Sequence, residues 1–175
     1  MKTLNYPRVI EWARQRGILD QSTAQFQMLK ATEEHGEMAG AILRGDRDEL
    51  IDSIGDQLVV AIVQCAQLGY DVGELLQHVA SSDDSVYVAC YNPMSNFEQD
   101  AIWCMKLTVA QGEVAADLAR GRDARESFHV LFQAISDVCQ STDINPAEAL
   151  DSVYDIISKR GGEMRNGVWV KTEDL

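Results

Sequence analysis

The chain has 175 residues, 46% of them hydrophobic and 25% charged, with a net charge of −13 at pH 7. That is enough apolar material for one domain, or for two small ones sharing a core, and it excludes wholesale disorder. The acidity argues against a direct nucleic-acid binder, which needs a basic footprint. Only 3 prolines and 7% aromatics favour helices over strands.

Taken in order, MKTLNYPRVIEW has no apolar signal core, and no apolar run approaches membrane length. Residues 7–17, PRVIEWARQRG, read as a short helix with Pro7 in its first turn and Gly17 as its stop. Ser22 or Thr23 can cap a second helix over about 23–43, ended by Gly45. Asp46 caps a third over about 47–68, where Ile51, Ile54, Leu58, Ile62 and Cys65 form an apolar stripe. Gly69 closes that helix, and DVGELLQHVA begins another. Residues 81–95 read as a connector with a short extended piece at Val86–Cys90. Helices follow at about 96–120, 123–141 and 146–159, the last two capped by Asp123 and Asn145–Pro146. The Gly-rich tail, with the apolar cluster Val168–Val170, reads as an ordered extension.

Cys65, Cys90, Cys104 and Cys139 lie far apart, with no C-x-x-C spacing, and the three histidines pair with none of them as zinc ligands. Reduced thiols in a cytoplasmic protein are expected.

The stretch Leu29 to Ala66 carries the chemistry. Glu34 and Glu37, three apart, share one helix face with Glu33 beside them, and Asp52 and Asp56, four apart, share a face of the next helix. Asp52 and Asp56 adjoin the apolar stripe, where a carboxylate is costly unless it is paired or bound to metal. Two antiparallel helices with facing acids can hold a hard cation such as Mg²⁺ through carboxylate oxygens. The five acids Glu33, Glu34, Glu37, Asp52 and Asp56 are therefore candidate metal ligands.

An internal likeness separates the two halves. At a constant offset of 76, Lys30 matches Lys106, Gly36–Glu37 matches Gly112–Glu113, Ala39 matches Ala115, and Arg44–Gly45 matches Arg120–Gly121. After a two-residue gap, Glu74 and Leu76 match Glu148 and Leu150. The same offset replaces Glu33, Glu34, Asp52 and Asp56 by Val109, Ala110, Phe128 and Phe132, and keeps Glu113. The expected plan is a first repeat over 1–80, a connector, and a degenerate second repeat with the tail over 96–175, packed as one bundle.

The segment LKATEEHGEMAGAILRGDRDELIDSIGDQLVV resembles the MazG-like, all-α nucleoside triphosphate pyrophosphohydrolases, relatives of the dimeric dUTPases. Flanking residues extend the likeness over 7–80 and 150–175. The family pattern is E-x-x-E followed, after a spacer, by E-x-x-D. The resemblance implies an all-α antiparallel bundle, a homodimer, and Mg²⁺-dependent cleavage of a nucleoside triphosphate into monophosphate and pyrophosphate. Glu34, Glu37 and Asp56 would be the catalytic acids, and Lys30, Lys159, Arg160, Arg165 and Lys171 candidates for phosphate contact. Asn166 would read a base edge or hold the tail, and Trp12, Phe26 or Trp103 could stack on a base. The departure is Ser53, where the family has a carboxylate. The site then works with the five acids, binds one cation weakly, or is silent and leaves a protein that binds nucleotides or partners. An acidic decoy that mimics nucleic acid is a third class.

Overall fold

Three side-chain caps set the frame of the bundle. Thr23 Oγ1 accepts from Phe26 N at 3.3 Å, Asp46 accepts from Glu49 N at 3.2 Å, and Asn145 accepts from the amides of Ala147 and Glu148. Each satisfies a donor that the first helical turn leaves free. The computed structural model describes residues 4–80 and 96–172. The expected connector, with its extended piece at Val86–Cys90, lies outside the described residues.

Helix α1 (Tyr6–Gln15) is followed by a short turn of helix, α2 (Ile18–Gln21), across Gly17. The long hairpin α3 (Ala24–Arg44) and α4 (Arg47–Gln67) turns at Gly45, whose φ of 65° is left-handed. Two four-residue helices follow, α5 (Val72–Leu75) and α6 (Gln77–Ala80). A second hairpin is formed by α7 (Asn96–Arg120) and α8 (Arg125–Thr142), and α9 (Pro146–Ile157) returns across α4. The fold is all-α, with one antiparallel β-hairpin at its end, β1 (Gly162–Arg165) and β2 (Val168–Lys171).

Helix α4 is the axis. It packs on α3, α9, α1 and α8, and its residues from Gln57 to Cys65 are all buried. Gly55 permits the approach of α9, because a Cβ there would stand 2.4 Å from Val153 Cγ2 and 2.5 Å from the Ala149 carbonyl oxygen. Glutamines tie α3, α4 and α7 together inside the core. Gln57 Nε2 and Gln111 Nε2 both donate to the Ala31 carbonyl, at 2.8 and 3.1 Å, and Gln111 also donates to Gln57 Oε1 at 2.7 Å. Cys65, Cys104 and Cys139 are free, buried thiols.

The two hairpins share their turn geometry at the offset of 76. Gly45 and Gly121 are both left-handed, and the paired bonds Gly45 N to Ile42 O and Asp46 N to Ala41 O recur as Gly121 N to Leu118 O and Arg122 N to Asp117 O. Beyond the turn the register slips, since α4 starts at Arg47 and α8 two residues later than the offset requires, at Arg125. Because of this slip, Phe128 and Phe132, fully buried in the core, do not fall in register with the cleft-lining Asp52 and Asp56. Asp123 also caps differently from expectation. The residue before α8 is Ala124, and Asp123 accepts from Arg125 N from one position further out.

The tail is a hairpin because Asn166 and Gly167, with φ of 51° and 82°, form the two-residue turn between paired Arg165 and Val168. Positive φ at both turn positions matches the right-handed twist of the strands.

Candidate active site

One face of the α3–α4 hairpin opens into a cleft of about 240 Å³. Glu33, Glu34, Glu37, Asp52 and Asp56 all line it, so the helical spacing brings the five predicted acids to one wall. Of the predicted cations, Lys30, Arg160 and Lys171 line the cleft too. The remaining lining is mostly apolar and aromatic, with Trp12, Ile18, Phe26, Ile157, Val168 and Trp169, and also includes the polar Gln27.

The acids stand in a strained electrostatic balance. Burial pushes the Glu34 carboxyl up, and Lys30 only partly offsets this while Glu37 and Glu33 add to it. Asp56 is pushed up to about 7, first by burial, then by the charges of Glu34 and Asp52, against the weaker pull of Arg160 and Lys30. Lys30 Nζ contacts Glu33 at 2.5 Å and Glu34 at 3.1 Å. Burial works to lower the Lys30 ammonium, but its bond to Glu33 and the charge of Glu34 outweigh that and raise it. Desolvation is costly for carboxylates this close together, and a divalent cation is what would relieve it.

Ser53 is not part of the wall. Its side chain is buried, and its hydroxyl donates to the Glu49 carbonyl one turn back at 2.8 Å. Asp52 lines the cleft instead, one turn from Asp56, so the position that departs from the family pattern faces the core. Three other predicted contacts fall outside the cleft lining. Lys159 is exposed just beyond α9, Arg165 is held by Glu163 at 2.7 Å on the outer edge of β1, and Asn166 is spent on the hairpin turn. Trp103 lies on α7 under the Lys106 ammonium, away from the cleft. Trp169, within the expected apolar cluster Val168–Val170, also lines the cleft, a place that is not among the expectations from sequence. The signal that locates it is Asn-Gly between the alternating segments 162–165 and 168–171.

The cleft therefore brings together five acids, the cations Lys30, Arg160 and Lys171, and the rings of Trp12, Phe26 and Trp169. The segment of residues 22–82 matches the model of the MazG nucleotide pyrophosphohydrolase domain. It contains all five acids and Lys30. A relative is an uncharacterised 18.2 kDa protein from the rep–hol intergenic region of Haemophilus phage HP1 (strain HP1c1). It is 37% identical over 57 residues, 33% of this chain and 35% of the relative. The match thus spans about a third of that relative's length. No solved structure matches the chain. Because the family match ends at residue 82, descent of the second hairpin from the first is a proposal resting on their shared turn.

The family generally uses a divalent metal, and the residues here suit one chemically. The donors are hard carboxylate oxygens, and two of the acids, Glu34 and Asp56, are held above their usual range first by burial and then by neighbouring carboxylates. Among the described residues no three His, Cys, Asp or Glu side chains converge as a ready-made metal site. Glu33 and Glu34 are instead both ion-paired with Lys30.

Proposed function

We propose that the protein hydrolyses a nucleoside triphosphate to the monophosphate and pyrophosphate with Mg²⁺. The observation that supports this best is the gathering of Glu33, Glu34, Glu37, Asp52 and Asp56 on one wall of a cleft that also holds Lys30, Arg160 and Lys171. Bound Mg²⁺ would neutralise phosphate oxygens and lower the pKa of the attacking water. The chain's own residues supply the rest. Lys30, Arg160 and Lys171 draw a phosphate chain along the acidic wall. Glu34, Glu37 and Asp56 are the acids proposed to act on it. Asp56 holds a proton below about pH 7 and is ionised above it, so it sets the pH at which the wall carries its full charge. In the reaction a water oxygen bonds to the α-phosphorus and gives up a proton that ends in solvent, the bond from that phosphorus to the bridging oxygen breaks, and pyrophosphate leaves with that oxygen.

A panel of ribo- and deoxyribonucleoside triphosphates, assayed for pyrophosphate with Mg²⁺ and with chelator, tests the reading. Glu34→Gln and Asp56→Asn should each reduce turnover by a hundredfold or more. Nucleotide binding without turnover would make the protein a silent nucleotide binder instead. Two further parts of the proposal are a cytoplasmic location, where nucleoside triphosphates are held, and a homodimer. No helix among the described residues is long and apolar enough to cross a membrane. Exposed Leu29, Met105 and Val109 are apolar side chains that a second copy would cover.

A further inference from the structure

Two rings of the aromatic end of the cleft, Trp12 and Trp169, lie outside the family-matched segment, and one arginine joins them. Arg16, at the end of α1, stands between two rings, its guanidinium carbon 5.3 Å from the Trp12 centroid and 5.2 Å from the Trp169 centroid. The same guanidinium donates to the carbonyls of Ile157 and Ser158, each at 3.2 Å, and of Arg160 at 2.7 Å. Trp12 Nε1 adds a bond to the Ile157 carbonyl at 3.3 Å. Arg16 therefore fastens the end of α9, and with it Arg160, to the two rings that form the aromatic end.

A lone two-stranded hairpin is marginal in water. This one is held by packing. Met164 and Trp169 lie against the core, and the Trp169 ring covers Gly162, where a Cβ would stand 2.8 Å from it. At the turn, Gly167 rests on Phe26, with its ring atoms 3.4 Å from where a Cβ would be. The hairpin thus contributes Gly167, Val168, Trp169 and Lys171 to the cleft lining, an indole ring together with one charge.

We propose that the C-terminal hairpin is the nucleobase-binding wall of the cleft, with Trp169, Trp12 and Phe26 receiving the base, and that Arg16 is the positioning residue that ties this wall to the phosphate end at Arg160. This rests on the reading of the cleft as a nucleoside triphosphate site. The ligand class is a flat heteroaromatic base linked to a polyphosphate. Trp12 Nε1 is occupied by the Ile157 carbonyl, so this ring offers its face and not a donor. Stacking on tryptophan is worth about 1–3 kcal/mol per base, equivalent to roughly 5- to 150-fold in affinity.

The test compares a nucleoside triphosphate with inorganic tripolyphosphate, which has the charge but no base, and reads equilibrium binding to the full chain in Mg²⁺ by competition and by tryptophan fluorescence. Binding is independent of turnover, so a protein that binds but does not hydrolyse leaves this inference standing while the hydrolase reading fails. Nucleotide, and not tripolyphosphate, should quench the tryptophans. Trp169→Ala should weaken nucleotide binding about tenfold or more and leave tripolyphosphate within twofold, and Trp169→Phe should restore most of the loss. Arg16→Ala should weaken both ligands, the nucleotide more, and shift tryptophan emission to the red. Circular dichroism at the assay temperature confirms that each variant is folded. Equal loss of both ligands in Trp169→Ala, unchanged nucleotide binding in that variant, or no nucleotide-specific quenching in the wild type would each overturn the proposal.

Discussion

Replacing Asp56 by Asn removes the most heavily disfavoured charge in the described cleft, and it should make the metal-free protein more stable while destroying its activity. Burial and the neighbouring charges of Glu34 and Asp52 carry this carboxyl from an ordinary 3.8 to about 7. At about 1.4 kcal/mol per pH unit, the folded protein then carries up to about 4 kcal/mol of penalty at pH 8. The side chain is partly exposed, so about half of that is the working expectation. For a chain of this size, ~2 kcal/mol corresponds to about 4–8 °C in melting temperature. The sign follows from the raised value. Stability associated with this group is complete below pH 3.8, declines as pH rises, and is fully lost above about 7. Asn does not ionise, so the variant should melt higher than wild type at pH 8 in chelator, by a margin that narrows as pH falls towards 4. Mg²⁺ should raise the melting temperature of the wild type and leave the variant almost unmoved. Scanning calorimetry at pH 5 and pH 8, with and without Mg²⁺, measures all four quantities. A variant no more stable than wild type at pH 8 in chelator, or a margin that does not depend on pH, would refute the reasoning.

Three further substitutions probe the scaffold around the acids. Ser53→Glu should not strengthen the site, because Ser53 faces the core and bonds to Glu49 O. A carboxylate there should cost about 2 kcal/mol or more in urea unfolding without raising turnover. Gly55→Ala drives a methyl into Val153 and the Ala149 carbonyl, so α9 must shift. Chemical denaturation should show a loss of about 1–3 kcal/mol, and kcat/KM should fall as Arg160 moves from the cleft. Gln111→Leu strips Gln57 Oε1 of its donor and leaves Ala31 with one glutamine partner, for an expected cost of about 1–3 kcal/mol in the same measurement.

The helices were legible because their signals are local. Thr23, Asp46 and Asn145 cap where expected, Gly17, Gly45 and Gly69 stop where expected, and three- and four-residue spacing brought Glu33, Glu34, Glu37, Asp52 and Asp56 to one wall. Direction around a buried helix was harder to read. A step of one residue turns a side chain by about 100°, and only the packing of α3 and α9 on α4 determines that Asp52 meets the cleft and Ser53 the core. The same limit undid the pairing of Asp52 and Asp56 with Phe128 and Phe132. A constant offset cannot register the two extra residues in the second turn. Among the cations, charge alone could not separate Arg160 from Lys159 or Lys171 from Arg165, because the hairpin's alternation and the Glu163 contact do the sorting. The aromatic end depends on contacts spanning more than 140 residues, from Arg16 to Arg160 and Trp169, that no local pattern announces.

The acidic wall is proposed to make the chain a metal-dependent hydrolase of nucleoside triphosphates. The direct measurement is product analysis after incubating purified protein with each nucleoside triphosphate, in Mg²⁺ and in chelator, beside Glu34→Gln. The account predicts equal amounts of nucleoside monophosphate and pyrophosphate from at least one nucleotide, in Mg²⁺ only, and almost none from the variant. No product from any nucleotide, release of orthophosphate with a diphosphate, or turnover that survives Glu34→Gln would contradict it.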